Sequence, residues 1–212
     1  MIIAIDGPSA AGKSTIAKLL AKKLGIEYID TGAMYRAVAL KAIRCGTNID
    51  DEAELAALLE GTSVDLSGTQ VLLDGEDVSG LIRTEEISMG ASRISAIPAV
   101  RAKLVALQRE IGARKSVVMD GRDIGSNVFP GAEYKFFVTA SPEVRAERRR
   151  KELAERGEDV PFEDLLADIK KRDWDDSNRP LNPLVRTEDA VLIMTDDLNI
   201  DEVLETVINY LQ

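Results

Sequence analysis

The residues with the clearest chemical use form a glycine-rich run near the start of the chain, Gly7-Pro8-Ser9-Ala10-Ala11-Gly12-Lys13-Ser14-Thr15. From Gly7 to Ser14 the run matches G-x-x-x-x-G-K-[ST] at every position. Backbone N–H groups of such a loop surround the phosphates of a nucleoside triphosphate. Lys13 is then expected to contact the β- and γ-phosphates, and Ser14 to hold Mg²⁺ together with water molecules.

The elements predicted around this run suit phosphate binding. Met1–Ile5 is predicted to form a short buried strand, and Lys13–Leu24 an amphipathic helix that ends at Gly25. A strand, a glycine-rich loop and a helix in this order place the positive end of the helix at the phosphates. This placement disfavours the alternative interpretation, a chance glycine turn before a helix.

A second candidate site is the charged segment Asp120-Gly121-Arg122-Asp123, which follows the apolar run Val117–Met119. A carboxylate at the end of a strand beside a phosphate loop is well placed to hold Mg²⁺ or its waters, and this predicts Asp120 as a second metal residue. Arg122 could bind a phosphate through two hydrogen bonds. The alternative is a charged turn with an internal Arg–Asp pair, which the phosphate loop makes the weaker interpretation.

A third segment, Asp30-Thr31-Gly32-Ala33-Met34-Tyr35-Arg36, lies at the end of the next predicted strand. Thr31 can cap the following helix, and Arg36 falls in the first turns of that helix. The residues alone leave two interpretations equally open, a ligand-binding segment and an ordinary helix cap.

Two further segments are rich in arginine and lysine. One runs from Lys170 to Arg179 around Trp174, and its simplest interpretation is a solvated helix end. The other contains Arg145, Arg148, Arg149, Lys151 and Arg156, which could face one side of a helix. Ordinary i,i+4 pairs with glutamates also explain that spacing. A triphosphate site favours a functional role, because phosphoryl transfer needs charge neutralisation.

The rest of the chain predicts a parallel sheet covered by helices. Further apolar strands are predicted at Ile26–Ile29, Tyr134–Val138 and Ala190–Met194, with amphipathic helices between them. Ligands of such sheets bind beyond the carboxyl ends of the strands. That edge would carry Asp6, Asp30, Asp120 and Thr195.

Two segments interrupt the alternation of strands and helices. Residues 61–90 contain two short apolar runs and Asp74-Gly75, which predict an antiparallel hairpin insert. Residues 148–162 are dense in charge and are predicted to form a mobile lid. A helix is predicted at Pro98–Arg114, with Arg101 outside the core because it lies beside the apolar stripe.

Composition excludes several classes of function. The net charge of −10 argues against a nucleic acid polymer as partner, and the absence of histidine excludes histidine-based catalysis. The apolar runs are too short to span a membrane. Cys45 is the single cysteine and is expected to pack near a helix end. With a strand predicted at the very start, no signal peptide is expected, and the cytoplasm is the expected location.

Taken together, four motifs resemble the bacterial cytidylate kinase family over essentially the full length of the chain. They are residues 5–14, 30–36, 120–125 and 172–180. The resemblance implies one domain over residues 1–212 with the three-layer α/β fold of P-loop NTPases. It further implies a five-stranded parallel sheet, a monophosphate-binding insert at 61–90 and a lid at 148–162. The implied reaction transfers the γ-phosphoryl group of ATP to CMP or dCMP with Mg²⁺, by a protein expected to be a monomer.

The resemblance also implies roles for individual residues. Residues 7–15 would hold ATP. Ser92, Arg101 and Asp123 would face the cytosine, and Arg172 and Asp176 would lie near the ribose. The acceptor phosphate would be bound by Arg36, Arg122 and Arg179. Thr31 stands where relatives often have serine, which keeps the hydroxyl, and Arg148 would come from the lid.

Two other classes of function compete with this one. The nearest is another small-molecule P-loop kinase with a different acceptor. The other is a GTP-dependent switch, because residues 65–68 and 77–80 match the loose pattern D-x-x-G. Both matches fall in the predicted hairpin region, and the guanine-binding pattern N-K-x-D is absent from the sequence. The switch is therefore the weaker of the two.

Overall fold

The computed structural model describes residues 1–67 and 70–211. The strands are β1 (Ile2–Asp6), β2 (Glu27–Asp30), β3 (Val64–Ser67), β4 (Gln70–Leu73), β5 (Glu76–Asp77), β6 (Val117–Gly121), β7 (Tyr134–Thr139) and β8 (Val191–Met194). The α-helices are α1 (Lys13–Leu24), α2 (Thr31–Cys45), α3 (Glu52–Glu60), α4 (Glu85–Ile94), α5 (Pro98–Arg114), α6 (Pro142–Glu155), α7 (Phe162–Asn178) and α8 (Ile200–Asn209). A single π-helical turn spans Ile124–Val128.

The main sheet has five strands in the order β2-β6-β1-β7-β8. β1 pairs in parallel with β6, where Ile5 faces Asp120, and with β7, where Asp6 faces Phe137. Central strands of such a sheet are covered on both faces, so they appear in sequence as unbroken apolar runs instead of alternating patterns. The predicted α/β class and the predicted parallel sheet are confirmed.

Contacts along the chain divide it into two units, residues 1–26 with 117–212 and residues 27–116. The first unit contains β1, the glycine-rich loop and α1, and it resumes at β6. Its α6 and α7 pack against each other through Ala146, Leu153, Leu165 and Ile169. The predicted lid therefore consists largely of helix, because it takes in the end of α6 and the start of α7.

The second unit contains the small antiparallel sheet β3-β4-β5 and helices α2 to α5. The predicted hairpin turn is present at Asp74 and Gly75, both with positive φ. Gly68, the last residue of one D-x-x-G match, lies outside the described residues, as does Thr69. Cys45 ends α2 and is exposed, so the expectation that it packs was wrong. The last residue of α2 that faces the apolar core is Ala42, and the final three residues of the helix, Cys45 included, are exposed.

Among the described residues, no helix is both long enough and apolar enough to cross a membrane.

Candidate active site

The glycine-rich loop adopts a backbone that only small residues tolerate. Gly7 follows β1 with φ of +147°, and a Cβ built on it would lie 2.0 Å from the Val138 carbonyl oxygen. Ala10 and Gly12 also have positive φ, at 59° and 87°. Any larger residue at Gly7 would collide with the backbone of β7, so the loop depends on glycine for its close approach to the sheet.

The N-terminus of α1 is open to an anion. Gly12 occupies the cap position, no side chain of the described residues caps this helix, and its first turn holds no acidic residue. In contrast, α2 and α8 are capped by the side chains of Asp30 and Asn199. Uncapped N–H groups at a helix N-terminus form a ready binding site for phosphate.

Lys13 sits inside this loop with only 6% of its surface exposed. Its Nζ donates a hydrogen bond to the Pro8 carbonyl oxygen at 2.6 Å, which ties the side chain across the loop. Burial, and next the positive charge of Arg122, lower the pKa of Lys13 to about 7. An anion bound in the loop would reverse this effect, because it favours the charged form of the amine.

Ser14 and Asp120, the two predicted metal residues, lie side by side. The Ser14 hydroxyl donates a hydrogen bond to Asp120 Oδ2 at 2.5 Å, although 106 positions separate the two residues. One hydroxyl and one carboxylate suit Mg²⁺, which usually binds few protein oxygens and keeps several waters. The described residues contain no group of three or more potential metal-ligating side chains.

Arg122 is joined to Asp176 on α7. Arg122 Nε donates to Asp176 Oδ2 at 2.7 Å, and both side chains are largely buried. Burial alone would raise the pKa of Asp176, but the charges of Arg122, Arg179 and Arg172 hold it below its usual value. Burial alone would lower the pKa of Arg122, but the charge and hydrogen bond of Asp176 raise it above its usual value. Both groups are therefore charged at neutral pH, which places a fixed guanidinium at the end of β6.

Asp123 and Arg179 form a second ion pair in the same unit. Arg179 Nη2 lies 3.2 Å from Asp123 Oδ1, and Arg179 Nε donates to the Asn182 carbonyl oxygen at 2.8 Å. The side chains are 7% and 8% exposed. The structure thus brings Arg122, Asp123, Asp176 and Arg179 together, and Arg172 is close enough for its charge to act on Asp176.

Arg145 was predicted only as one of several arginines that could face one side of a helix. It is 2% exposed and donates to the Ala140 carbonyl, to the Ser9 carbonyl at 3.2 Å, and to both carboxylate oxygens of Asp173. It therefore connects the glycine-rich loop to α7. The spacing of arginines could not show this, because the partners lie in distant segments.

Arg148, the predicted lid arginine, is also held in place. Its guanidinium donates to Thr195 Oγ1 at 2.9 Å and to the Thr195 carbonyl at 2.5 Å. Arg149, one position further, instead pairs with Glu152. The structure thus puts Arg148 beside the end of β8, at the sheet edge where Thr195 was expected.

In the second unit, Thr31 and Arg36 lie on the first turns of α2. The cap of this helix is Asp30, which accepts a hydrogen bond from Ala33 N at 2.8 Å, so the proposed capping role of Thr31 was wrong. Thr31 is the first residue inside the helix, where its hydroxyl is past the cap position. Arg36 Nη2 pairs with Asp30 at 3.0 Å, while its buried Nε has no hydrogen-bond partner among the described residues.

Ser92 and Arg101 lie on α4 and α5 of the same unit. Arg101 is 4% exposed, donates to the Ser95 carbonyl at 3.2 Å, and lies 6.0 Å from the centroid of the Tyr35 ring. The expectation that it lies outside the core was wrong. A second buried stripe, formed by Arg101, Val105 and Gln108, runs beside the apolar one. Two of its three residues are polar, so hydrophobic periodicity could not detect it.

Comparison with known proteins identifies relatives over nearly the whole chain. The family model described as cytidylate kinase matches residues 3–212. The cytidylate kinase of Caldanaerobacter subterraneus subsp. tengcongensis is 53% identical over 205 residues, covering 97% of this chain and 92% of the relative. The cytidylate kinase of Clostridioides difficile is 48% identical over 209 residues, covering 99% and 97%.

Solved structures share the fold at low sequence identity. An uncharacterized protein from Eubacterium ventriosum has a TM-score of 0.56 at 13% identity, with 99% of this chain and 97% of that chain covered. A gluconokinase from Sinorhizobium meliloti has a TM-score of 0.51 at 16% identity, with 98% and 89% covered. At these identities the likeness concerns the fold alone.

Proposed function

This chain belongs to the cytidylate kinase family, and we propose that it transfers the γ-phosphoryl group of ATP to CMP and dCMP through the residues described above. The observation that carries the proposal is the set of functional groups that the first unit contains. It holds a triphosphate loop, a hydroxyl–carboxylate pair suited to Mg²⁺, and a buried network of arginines and carboxylates. Groups proposed for both the donor and the acceptor occur in one chain, and the enzyme is proposed to be a monomer.

The donor side follows from the glycine-rich loop. Residues 7–15 surround the phosphates of ATP with backbone N–H groups, and Lys13 neutralises the β- and γ-phosphates. Ser14 and Asp120 hold Mg²⁺, directly or through its waters. Mg²⁺ held there would supply positive charge against the charge that develops during transfer. These residues position the γ-phosphate for in-line attack.

The acceptor side needs charge neutralisation and no general base. A phosphate monoester has a second pKa of about 6, so CMP is largely dianionic at neutral pH and already nucleophilic. Its difficulty is repulsion from the triphosphate. In this proposal Arg36, Arg122 and Arg179 bind the acceptor phosphate, and Arg172 and Asp176 lie near the ribose. The hydrogen-bond capacity left on Arg36 Nε supports its assignment.

Recognition of the base is assigned to Asp123, Ser92 and Arg101, with Thr31 as a further CMP contact. Cytosine offers a donor at N4 and acceptors at N3 and O2. A carboxylate accepts from N4, and an arginine donates to the acceptors. Uracil presents an acceptor at O4 and a donor at N3, so it would leave these groups mismatched.

Residues 61–90 and 148–162 are proposed to act as the monophosphate-binding insert and the lid. Arg148 would bring charge to the transferring phosphate, for which its contacts with Thr195 would have to loosen. A closing lid would also keep water from taking the phosphoryl group. The proposed location is the cytoplasm, in keeping with a chain that has a single cysteine.

The test of this function is production of ADP from Mg·ATP with each monophosphate offered separately. CMP, dCMP, UMP, AMP, GMP and dTMP form the panel. Fast turnover with CMP and dCMP and little with the others is the expected result. No stimulation by any monophosphate would overturn the proposal, and a preference for a different acceptor would assign the chain to another small-molecule kinase activity.

The lowered pKa of Lys13 makes ATP binding depend on pH. At about pH 8 most Lys13 amines of the free protein are neutral, and bound phosphates raise the pKa of Lys13. ATP binding is therefore expected to take up close to one proton, and ATP affinity to fall as pH rises above about 7. Calorimetric titration in buffers of different ionisation enthalpy measures the uptake.

The matched control for proton uptake is Lys13→Arg, because its guanidinium stays protonated throughout this pH range. Uptake should be lost in this variant. The same uptake in both proteins would show that another group binds the proton.

Arg179→Ala is expected to weaken the acceptor side selectively. It removes one charged donor from the proposed phosphate site, so KM for CMP should rise by about 10- to 100-fold while KM for ATP changes little. Steady-state kinetics with each substrate varied in turn measures both constants. Arg186→Ala, which removes an exposed arginine from the same loop between α7 and β8, is the control. A defect confined to ATP would contradict the assignment.

A further inference from the structure

Asp6 is a buried carboxylate that the proposed reaction leaves without a role. It is the last residue of β1, directly before Gly7, and only 6% of its surface is exposed. Both of its carboxylate oxygens accept hydrogen bonds from backbone N–H groups that lie far along the chain, just after β6. Oδ1 accepts from Ile124 N at 2.8 Å, and Oδ2 accepts from Gly125 N at 2.7 Å.

These two N–H groups begin the π-helical turn that follows Asp123. An aspartate that precedes a helical turn usually caps it with its own side chain. Asp123 holds this cap position, yet its side chain makes no capping bond. Asp6 supplies the cap from β1 instead.

The carboxylate of Asp123 consequently points to other partners. Oδ1 pairs with Arg179 Nη2, and Oδ2 accepts from Asn127 Nδ2 at 3.0 Å. If Asp123 had to cap its own turn, at least one oxygen would be turned back towards the backbone. With the cap supplied by Asp6, the Asp123 carboxylate contacts Arg179 and Asn127 instead, at the position that the proposed function assigns to the base.

The turn beside Asp6 is tightly packed, and burying the Asp6 carboxylate costs free energy. A Cβ on Gly125 would lie 3.4 Å from Asp6 Oδ2 and 3.2 Å from Cδ of Lys135. Burial raises the pKa of Asp6 to about 6 against the effect of the two N–H groups. The carboxylate offers one acceptor oxygen to each of the two N–H groups, which a neutral amide side chain would not.

We propose that Asp6 is a positioning residue for base selection: by capping the turn at Ile124 and Gly125, it fixes the backbone that follows Asp123 and so orients the Asp123 carboxylate that recognises cytosine. Asp6 also precedes Gly7 directly, so one residue links the donor loop to the turn that selects the acceptor. The inference rests on the proposed CMP kinase function.

Asp6→Asn is the variant that tests the proposal. The amide keeps the shape but offers one acceptor and one donor, so one of the two N–H groups meets an NH₂ group. The ratio of kcat/KM for CMP to that for UMP is expected to fall by about tenfold or more, through a higher KM for CMP. KM for ATP should change by less than about threefold.

A double-mutant cycle separates positioning from general stability. In the Asp123→Asn background, Asp6→Asn should leave the CMP-to-UMP ratio unchanged, because Asp6 acts through Asp123. Asp51→Asn, which alters a carboxylate cap of α3 in the same way, is the control and should leave the ratio intact. If Asp6→Asn does not fold, Gly125→Ala crowds the same turn, mainly against Lys135, and is expected to lower the selectivity in the same direction.

The outcomes distinguish this inference from the proposed function. Wild-type turnover of CMP with an unchanged CMP-to-UMP ratio in the Asp6 or Gly125 variants would overturn the positioning role alone. An equal fall of activity with both bases would also overturn it, since that is what a purely structural role predicts. Absence of CMP turnover in the wild type would overturn the proposed function and this inference with it.

Discussion

Lys13→Ala is expected to lower kcat by about 10³-fold or more while the protein remains folded. Lys13 is the only cation that the glycine-rich loop itself supplies, and it is buried against the Pro8 carbonyl at 2.6 Å. Without it the charge that moves between the β- and γ-phosphates in the transition state has no direct partner in the loop. Initial rates at saturating Mg·ATP and CMP measure the loss.

The control for this variant is Lys22→Ala, which removes an exposed lysine from the same helix. Its rate should match the wild type. Thermal unfolding of both variants checks that the fold is kept. Near-normal turnover by Lys13→Ala would remove the catalytic role assigned to the loop.

Asp123→Asn is expected to change the preferred base. The substitution turns one acceptor oxygen into a donor, so cytosine N4 loses its partner while uracil O4 gains one. kcat/KM for CMP should fall by about 10²-fold, and the preference for CMP over UMP should fall by at least as much. Competition between CMP and UMP in one reaction measures the ratio directly.

Asp175→Asn provides the matched control for that experiment. Asp175 lies exposed on α7, and its substitution makes the same change of charge away from the buried network. The base preference should stay that of the wild type. A similar fall of activity with CMP and UMP in Asp123→Asn would mean that Asp123 acts on the fold or on phosphate, and not on the base.

The local parts of this protein were predictable because their causes are local. The glycine-rich loop needs special backbone angles at Gly7 and Gly12, and only certain residues adopt them. The central strands are buried on both faces, which produces unbroken apolar runs in sequence. The Asp74-Gly75 turn follows from the positive φ of both residues.

Polar residues with distant partners were less predictable. Arg101 is buried because α5 presents a second, mostly polar stripe to its surroundings, which hydrophobic periodicity does not reveal. Arg145 helps to hold the phosphate loop because it donates hydrogen bonds to the Ser9 carbonyl and to Asp173. Thr31 was predicted to cap α2, and the backbone geometry places Asp30 at the cap position instead.

The sequence by itself determined the phosphate loop, the parallel sheet and the family, because each depends on residues whose order along the chain carries the pattern. Only the tertiary structure decided which charges pair. Asp6 caps a turn 118 positions away, Ser14 meets Asp120, and Arg122 meets Asp176. Hydrogen bonds and ion pairs act over a few ångströms in space, so their partners cannot be identified until the fold has brought the strands and helices together.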